Sequence, residues 1–414
     1  MNKLEVNGNV KDNKLPEGWV KIRLGEIIIE NIKSGFKVEN ADNSGRYPFF
    51  TSGEAILSDS NYLVDYENVF LATGGVANIK YYKGKANYSA DTYCLKAKIT
   101  TKYLYYCLLK NLMKVDYKYF SGSGLKHLQK SDFKKEILNL PSLPCEQQKI
   151  AEILETVDET IEKTNAIIEK YKRTTQGLMQ DLLTRGIDEN SKIRSEETHK
   201  FKDSSLGRIP EEWEVVELGG NINVFLSNVD KKIFNFEQKV LLCNYLNVYK
   251  NEYINNLISF TGGSANIREI KKFGVSKGNV IITKDSEEFN DIAKSAYVRD
   301  EINNLICGYH LALLKPSKKV DGLYLSKILK LYKINSFFQR RANGITRFGI
   351  SKETIEKALI PLPTLPEQRR IVSILSQIDE TVAKEQKYKE KLERIKQGLM
   401  EDLLTGKVRI LNVN

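Results

Sequence analysis

Apolar residues recur at alternating steps of four and three along one stretch of the chain. They are Ile150, Leu154, Val157, Ile161, Thr164, Ile168, Tyr171, Thr175, Leu178 and Leu182. That spacing is a heptad seam, a helical stripe that a second helix or a domain surface must cover. The stripe returns as Ile371, Leu375, Ile378 and Val382, then shifts to Tyr388, Leu392, Ile395 and Leu399, as a short stammer does. Pro144 and Pro366 sit where a missing N–H costs nothing, and Glu146 and Glu367 suit the positive start of a helix. Two long helices are expected, a central one over 144–185 and a C-terminal one over 365–405. At about 1.5 Å per residue, a helix of roughly 38 residues spans about 57 Å.

Between these stripes the helical period disappears. Short β-like runs alternate with Tyr, Lys, Asn and Gly loops, as in "SGRYPFFTSGEAI" and "NIKYYKGKANYSADTYCL" in the first half and "VLLCNYLNVYKNEYI" in the second. The halves also resemble each other. "LPEGWVKIRLGEI" from Leu15 matches "IPEEWEVVELGGN" from Ile209, aligning Trp19 with Trp213, the chain's 2 tryptophans. "ENVFLATGG" from Glu67 matches "GNVIITKDS" from Gly278, and "QGLMQDLLT" from Gln176 matches "QGLMEDLLT" from Gln397. From Glu146 and Glu367 onward the copies align without a gap as far as Thr184 and Thr405. A repeat this long is a duplication, not a solenoid of short units. The expected fold is α+β with pseudo-two-fold internal duplication: two strand-rich domains and two long helices pairing as an antiparallel coiled coil. The alternative is that each helix docks on its own domain or on another molecule. The boundaries read as an N-terminal extension 1–16, a first domain 17–143, the central helix 144–185, a polar linker 186–208, a second domain 209–364, the C-terminal helix 365–405 and a tail 406–414.

Composition narrows the function. A chain of 414 residues implies more than one core, and 41% hydrophobic residues can fill them. No 18-residue apolar run offers a membrane span, and the start "MNKLEVNGNVKDN" has no apolar signal region. Cys94, Cys107, Cys145, Cys243 and Cys307 lie far apart and read as reduced thiols of a cytoplasmic protein. With His127, His199 and His310 the only histidines, no metal site is expected. The net charge of +11 fits a lysine-rich soluble surface or a polyanionic partner, and charge alone does not decide.

Catalytic motifs are sparse. "FSGSG" at Phe120–Gly124 fits the F-x-G-x-G methyl-donor loop of adenine methyltransferases, but the companion Pro-Pro motif is missing. There is no Walker-type phosphate loop. Acids such as Asp291 and Glu301 are no denser than composition predicts, and His127 and His310 have no evident nucleophile partner. Aromatics interleaved with Lys, Arg, Asn, Ser and Thr on loops do suit a DNA face, where cations hold phosphates and polar side chains read base edges. The scaffolds match while the loops differ: "TGGVANIKYY" in one domain, "TKDSEEFNDI" in the other.

The paired "LPEGW"/"IPEEW" starts, the "LPSLPCEQQKIAEIL"/"LPTLPEQRRIVSIL" elbows and the repeated helix ends together resemble the specificity subunits of type I restriction–modification systems. The resemblance covers nearly the whole chain from about residue 15. It implies a non-catalytic subunit whose two target-recognition domains read an asymmetric bipartite site in double-stranded DNA. The shared helices would fix the gap between half-sites and dock two adenine-methylating modification subunits, with restriction subunits added where they exist. The chain would bind no cofactor, S-adenosylmethionine, ATP and Mg being held by the partner subunits. Loop chemistry and the resemblance nominate Thr73, Gly74, Asn78, Lys80, Lys126 and His127 for DNA contact in the first domain. In the second they nominate Thr283, Lys284, Ser286, Arg340, Arg341, Thr346 and Arg347, with Arg347 a base reader. Gly177, Leu178, Leu182, Gly398, Leu399 and Leu403 are expected to serve the coiled coil or partner docking. Competing classes are a scaffold joining two protein-binding domains and a self-sufficient N6-adenine methyltransferase.

Overall fold

The computed structural model describes residues 15–410. The N-terminal extension before Leu15 and the last four positions of the tail lie outside the described residues. The chain divides into two compact units. One takes the chain up to Ile167 together with everything from Glu385 on, and the other is Ile168–Lys384. The division runs through both long helices. Each unit therefore owns one strand-rich domain, the start of the helix that follows it, and the end of the other helix.

In the first unit a six-stranded sheet runs in the order Ile28–Glu30, Thr92–Ala97, Val64–Ala72, Ile79–Tyr88, Tyr47–Phe50, Ile56–Asp59. The apolar run Val69–Ala72 is buried at every position because both faces of its strand are covered. Side chains alternate across the sheet. Val69 and Leu71 pack with Tyr103, Leu104 and Leu108 of helix Thr101–Lys110, while Phe70 packs with Phe50 and Tyr88 opposite. Trp19–Arg23 pairs antiparallel with Ile137–Pro141, which brings the domain's start beside the residues that lead into the central helix.

The second unit repeats the plan. Val280–Thr283 is the middle strand of five, ordered Ile222–Leu226, Leu311–Pro316, Val280–Thr283, Ser295–Val298, Tyr253–Ile254. Val280 and Ile282 face Tyr324, Leu325 and Ile328, whereas Ile281 faces Leu242 and Ile306 of a second, three-stranded sheet. Glu214–Glu217 pairs with Leu359–Leu362 at the approach to the terminal helix, as its counterpart does in the first domain. The fold is α+β, as the sequence pattern predicts.

The central helix, Pro144–Arg185, is continuous over 42 residues and the terminal helix, Leu365–Thr405, over 41. In the first unit Ile150 and Leu154 share a core with Met400, Leu403 and Leu404, and Lys396 meets Asp158 at 2.5 Å. In the second, Leu182 and Leu183 share a core with Ile371, Val372 and Leu375. Early positions of one helix meet late positions of the other both times, so the helices run antiparallel. The shifted stripe of the terminal helix is only partly covered: Leu392 is buried, but Tyr388 and Ile395 are exposed at 48% and 42%. Tyr171, in the regular stripe of the central helix, is exposed as well, at 37%.

A left-handed glycine ends each helix, Gly186 with φ 65° and Gly406 with φ 74°, and each packs against a tryptophan, Trp213 and Trp19 respectively. Beside them lie the helix-start glutamates, and both are almost wholly buried. Glu146 takes a bidentate pair from Arg409 at 2.7 and 2.9 Å. Glu367 takes Arg194, the indole N–H of Trp213 at 3.2 Å and the backbone N–H of Ile187 at 3.1 Å. A buried carboxylate is tolerated only when paired in this way. The expected role at a positive helix start is thus joined by a second one, anchoring the segment that leaves the other helix. Replacing Arg194 with Ala should strand Glu367 in the core and cost about 3–5 kcal/mol. Denaturant unfolding of the purified chain checks this, with Lys163→Ala, which breaks an exposed pair with Glu159, expected to cost less than about 1 kcal/mol.

Candidate nucleic-acid interface

Beyond Ala72 the chain leaves the sheet as Thr73–Gly74–Gly75 and pairs with the segment around Lys126 and His127. Leu128 N–H donates to the Thr73 carbonyl at 2.9 Å, Gly75 N–H to that of Lys126 at 2.9 Å, and Thr73 N–H to that of Asp91 at 3.0 Å. Beyond Thr283 the same bonds recur: Ile350 N–H to the Lys284 carbonyl at 2.9 Å and Lys284 N–H to that of His310 at 3.0 Å. Asp285–Ser286 then pairs with Phe348–Gly349. Gly122 and Gly344 make matching turns with φ 154° and 141°. At each, a Cβ would strike the carbonyl three residues on, of Leu125 or of Arg347. Only glycine suits that turn, which accounts for Gly122 in the pattern at Phe120–Gly124 as backbone geometry, whereas a Cβ at Gly124 would meet nothing within 4 Å.

One frame thus presents two sets of side chains. Lys284 stands where the first domain has Thr73, Asp285 where it has Gly74, His310 where it has Asp91, and Arg347 where it has Leu125. The structure brings Thr73, Gly74, Lys126 and His127 together in the first domain and Thr283, Lys284, Ser286 and Arg347 together in the second. These pairings join segments more than fifty residues apart in sequence.

The nominated residues differ in how free they are. Lys126, His127, Arg340, Arg341, Thr346 and Arg347 are exposed, although Arg341 lies over the Phe337 ring at 3.9 Å. Lys80 is turned inward, donating to the carbonyls of Thr51 and Gly53, and burial holds its ammonium below the usual lysine range. Lys284 is also committed: its ammonium lies 2.8 Å from Asp285 with only 12% of the side chain exposed. Thr283 is buried, its hydroxyl donating to the Asp291 carbonyl at 2.6 Å. Ser286 is buried against the Tyr245 hydroxyl at 3.1 Å. Asn78 is half-buried and its backbone carbonyl accepts from Ala72.

Several polar groups that sequence reasoning passed over converge here. His310 adopts φ 70°, an uncommon conformation for a residue with a side chain. Its Nδ1 lies 2.9 Å from Asp285, and Arg347 lies 3.4 Å from its Nε2. Burial raises the Asp285 carboxyl, but the hydrogen bonds from Lys284 and His310 outweigh that and hold it below its ordinary value. Next to them a groove of about 730 Å³ is lined by Lys232, Asn244, Tyr245, Asn247, Tyr309 and His310. "TKDS" gave a partial signal for Asp285; nothing local pointed to His310, whose partner sits 25 positions away.

On the helices, Leu182 and Leu403 are buried in the cores, and Leu178 and Leu399 pack against them partly buried. Gly177 and Gly398 are exposed, and a Cβ at either would meet nothing within 4 Å. Among the described residues, no group of His, Cys, Asp and Glu could hold a metal ion, and no helix is long and apolar enough to cross a membrane.

Residues 16–173 and 210–394 match the Type I restriction modification DNA specificity domain, once in each half. The chain is 27% identical over 431 residues to a putative type I restriction enzyme MjaX specificity subunit of Methanocaldococcus jannaschii, covering 96% of this chain and 95% of that one. It is 26% identical over 420 residues to the MjaVIII specificity subunit of the same organism, covering 97% and 95%, and 25% identical over 393 residues to the EcoDI specificity subunit of Escherichia coli, covering 88% and 82%. Among solved structures it is similar to the S subunit of a type I restriction-modification system from M. genitalium, with a TM-score of 0.64, 16% identity and coverage of 97% and 98%. The free cations and the enclosed ones are expected to separate in solution. Lys126→Ala should reduce the slope of log affinity against log salt on duplex DNA by about one. Lys284→Ala should leave the slope unchanged, as read by fluorescence anisotropy across a salt series.

Proposed function

The chain belongs to the type I restriction–modification DNA specificity family and is a specificity subunit of such a system; on that premise we propose that its two strand-rich domains each read one half of an asymmetric, bipartite site in double-stranded DNA. The observation that carries this reading is the duplicated tip. Identical backbone bonds hold Thr73 and Lys284, yet the side chains around them differ in charge and size. A scaffold kept constant beneath changed chemistry suits two readers of different sequences. Exposed Lys126, Arg340 and Arg341 supply charge for phosphates, and the enclosed polar groups set the tips' shape.

The chain itself performs no chemistry on this reading. Adenine methylation belongs to two modification subunits, which bring S-adenosylmethionine, and translocation with cleavage, where present, belongs to restriction subunits using ATP and Mg. Docking of two copies of one partner is supported by the repeated helix ends. Gly177 and Gly398 each sit mid-helix and open to solvent, where glycine costs about 1 kcal/mol against alanine. Nothing among the described residues repays that cost, whereas a partner backbone approaching closely would.

Two outcomes follow. Exchanging residues 17–143 for the corresponding domain of another family member should change one half of the methylated sequence and leave the other intact; a change in both halves rejects separate reading. Gly177→Leu or Gly398→Leu should each reduce the modification subunits bound from two to one by native mass spectrometry, without lowering the unfolding midpoint. Two subunits bound at unaltered affinity would remove the docking role.

A further inference from the structure

The second domain holds a hydrogen-bonded chain of four side chains, Lys284, Asp285, His310 and Arg347, that the first domain lacks. Asp285 accepts from His310 Nδ1 at 2.9 Å and from Lys284 at 2.8 Å. With Nδ1–H given to the carboxylate, His310 Nε2 is the acceptor nitrogen of the ring, and Arg347 Nη1 lies 3.4 Å from it. The other edge of the guanidinium faces Glu287 at 3.4 Å. Burial graded along the chain fits a supported reader: the Lys284, Asp285 and His310 side chains are 12%, 21% and 29% exposed, whereas Arg347 is 51% exposed. His310 is held in a left-handed conformation, φ 70°, which persists only where the surroundings enforce it.

Resting on the proposed reading of DNA by this domain, we infer that Arg347 reads a guanine in the second domain's half-site and that His310 and Asp285 are its positioning residues. An arginine fork matches guanine O6 and N7, the acceptor pair that a G·C step presents in the major groove. A free arginine would lose that selectivity to rotamer freedom. One whose guanidinium rests against an imidazole, itself fixed by a carboxylate, presents its remaining donors in one direction. The matching positions of the first domain, Gly74, Asp91 and Leu125, cannot form such a chain. The device therefore belongs to what this domain reads and not to the shared frame. Glu287 is 78% exposed and yields its place to the base edge.

The test compares methylated sequences from cells carrying the modification subunits with the wild-type chain or with Arg347→Ala, Arg347→Lys, His310→Gln or Asp285→Asn. Arg347→Ala should relax one G·C position in one half of the target, reducing discrimination there on the order of ten- to a hundredfold, with the other half untouched. Arg347→Lys, which keeps the charge and loses the fork, should relax the same position. His310→Gln and Asp285→Asn should relax that position to a smaller degree. The inference fails if Arg347→Ala lowers methylation evenly at unchanged selectivity, if the relaxed position is A·T, or if the His310 and Asp285 variants relax a different position. A wild-type chain that directs no sequence-specific methylation overturns the DNA-reading proposal itself, and this inference with it.

Discussion

Neither half of this chain can close its own core. Leu403 and Leu404, from the far end of the sequence, pack beside Ile150 and Leu154 under the first domain, while Leu182 and Leu183 do the same beside Ile371 and Leu375 under the second. Each fully buried side chain of this kind contributes about 1.5–3 kcal/mol. Removing the foreign helix end would expose several at once. The buried glutamates sharpen the arrangement. A buried ion pair adds little net stability, but any slip of one helix against the other would leave Glu146 or Glu367 unpaired in the core at a cost of several kcal/mol. Hydrophobic burial drives the association and the two carboxylates select its register.

Much of this was legible in the sequence because it is periodic or repeated. The heptad stripe needs no tertiary knowledge, and the matched tryptophans and elbows show that the two halves correspond. What escaped depends on contacts between distant residues. Arg194 and Arg409 follow their helices at different distances, so the gapless alignment from Glu146 and Glu367 ended before reaching them. The short strings "KIR" at Lys192 and "KVR" at Lys407 were the available signal. Tyr171, Tyr388 and Ile395 have seam spacing and are exposed; spacing carries no information on which positions a neighbour covers. At the tips, residue types carry no information on orientation: Lys80 and Lys284 look like phosphate contacts in sequence and are spent on internal bonds in the fold.

The tips show how one frame supports different chemistry. Backbone bonds that pin Thr73 also pin Lys284, and the same glycine turn precedes Leu125 and Arg347. Since the frame is held by main-chain groups, the side chains on it can change without disturbing the sheet beneath. That separation lets the chemistry of a tip change while the core, the elbow and the helix contacts beneath it stay as they are.

Each unit's core is completed by the end of the helix that begins in the other. A chain ending at Lys384 keeps every residue of the second unit and removes Met400, Leu403, Leu404 and Arg409 from the first. Hydrogen exchange followed by mass spectrometry on that truncated chain should show Val64–Ala72 losing its protection while Val280–Thr283 retains it. Equal protection of both strands, at the level of the full chain, would contradict the account.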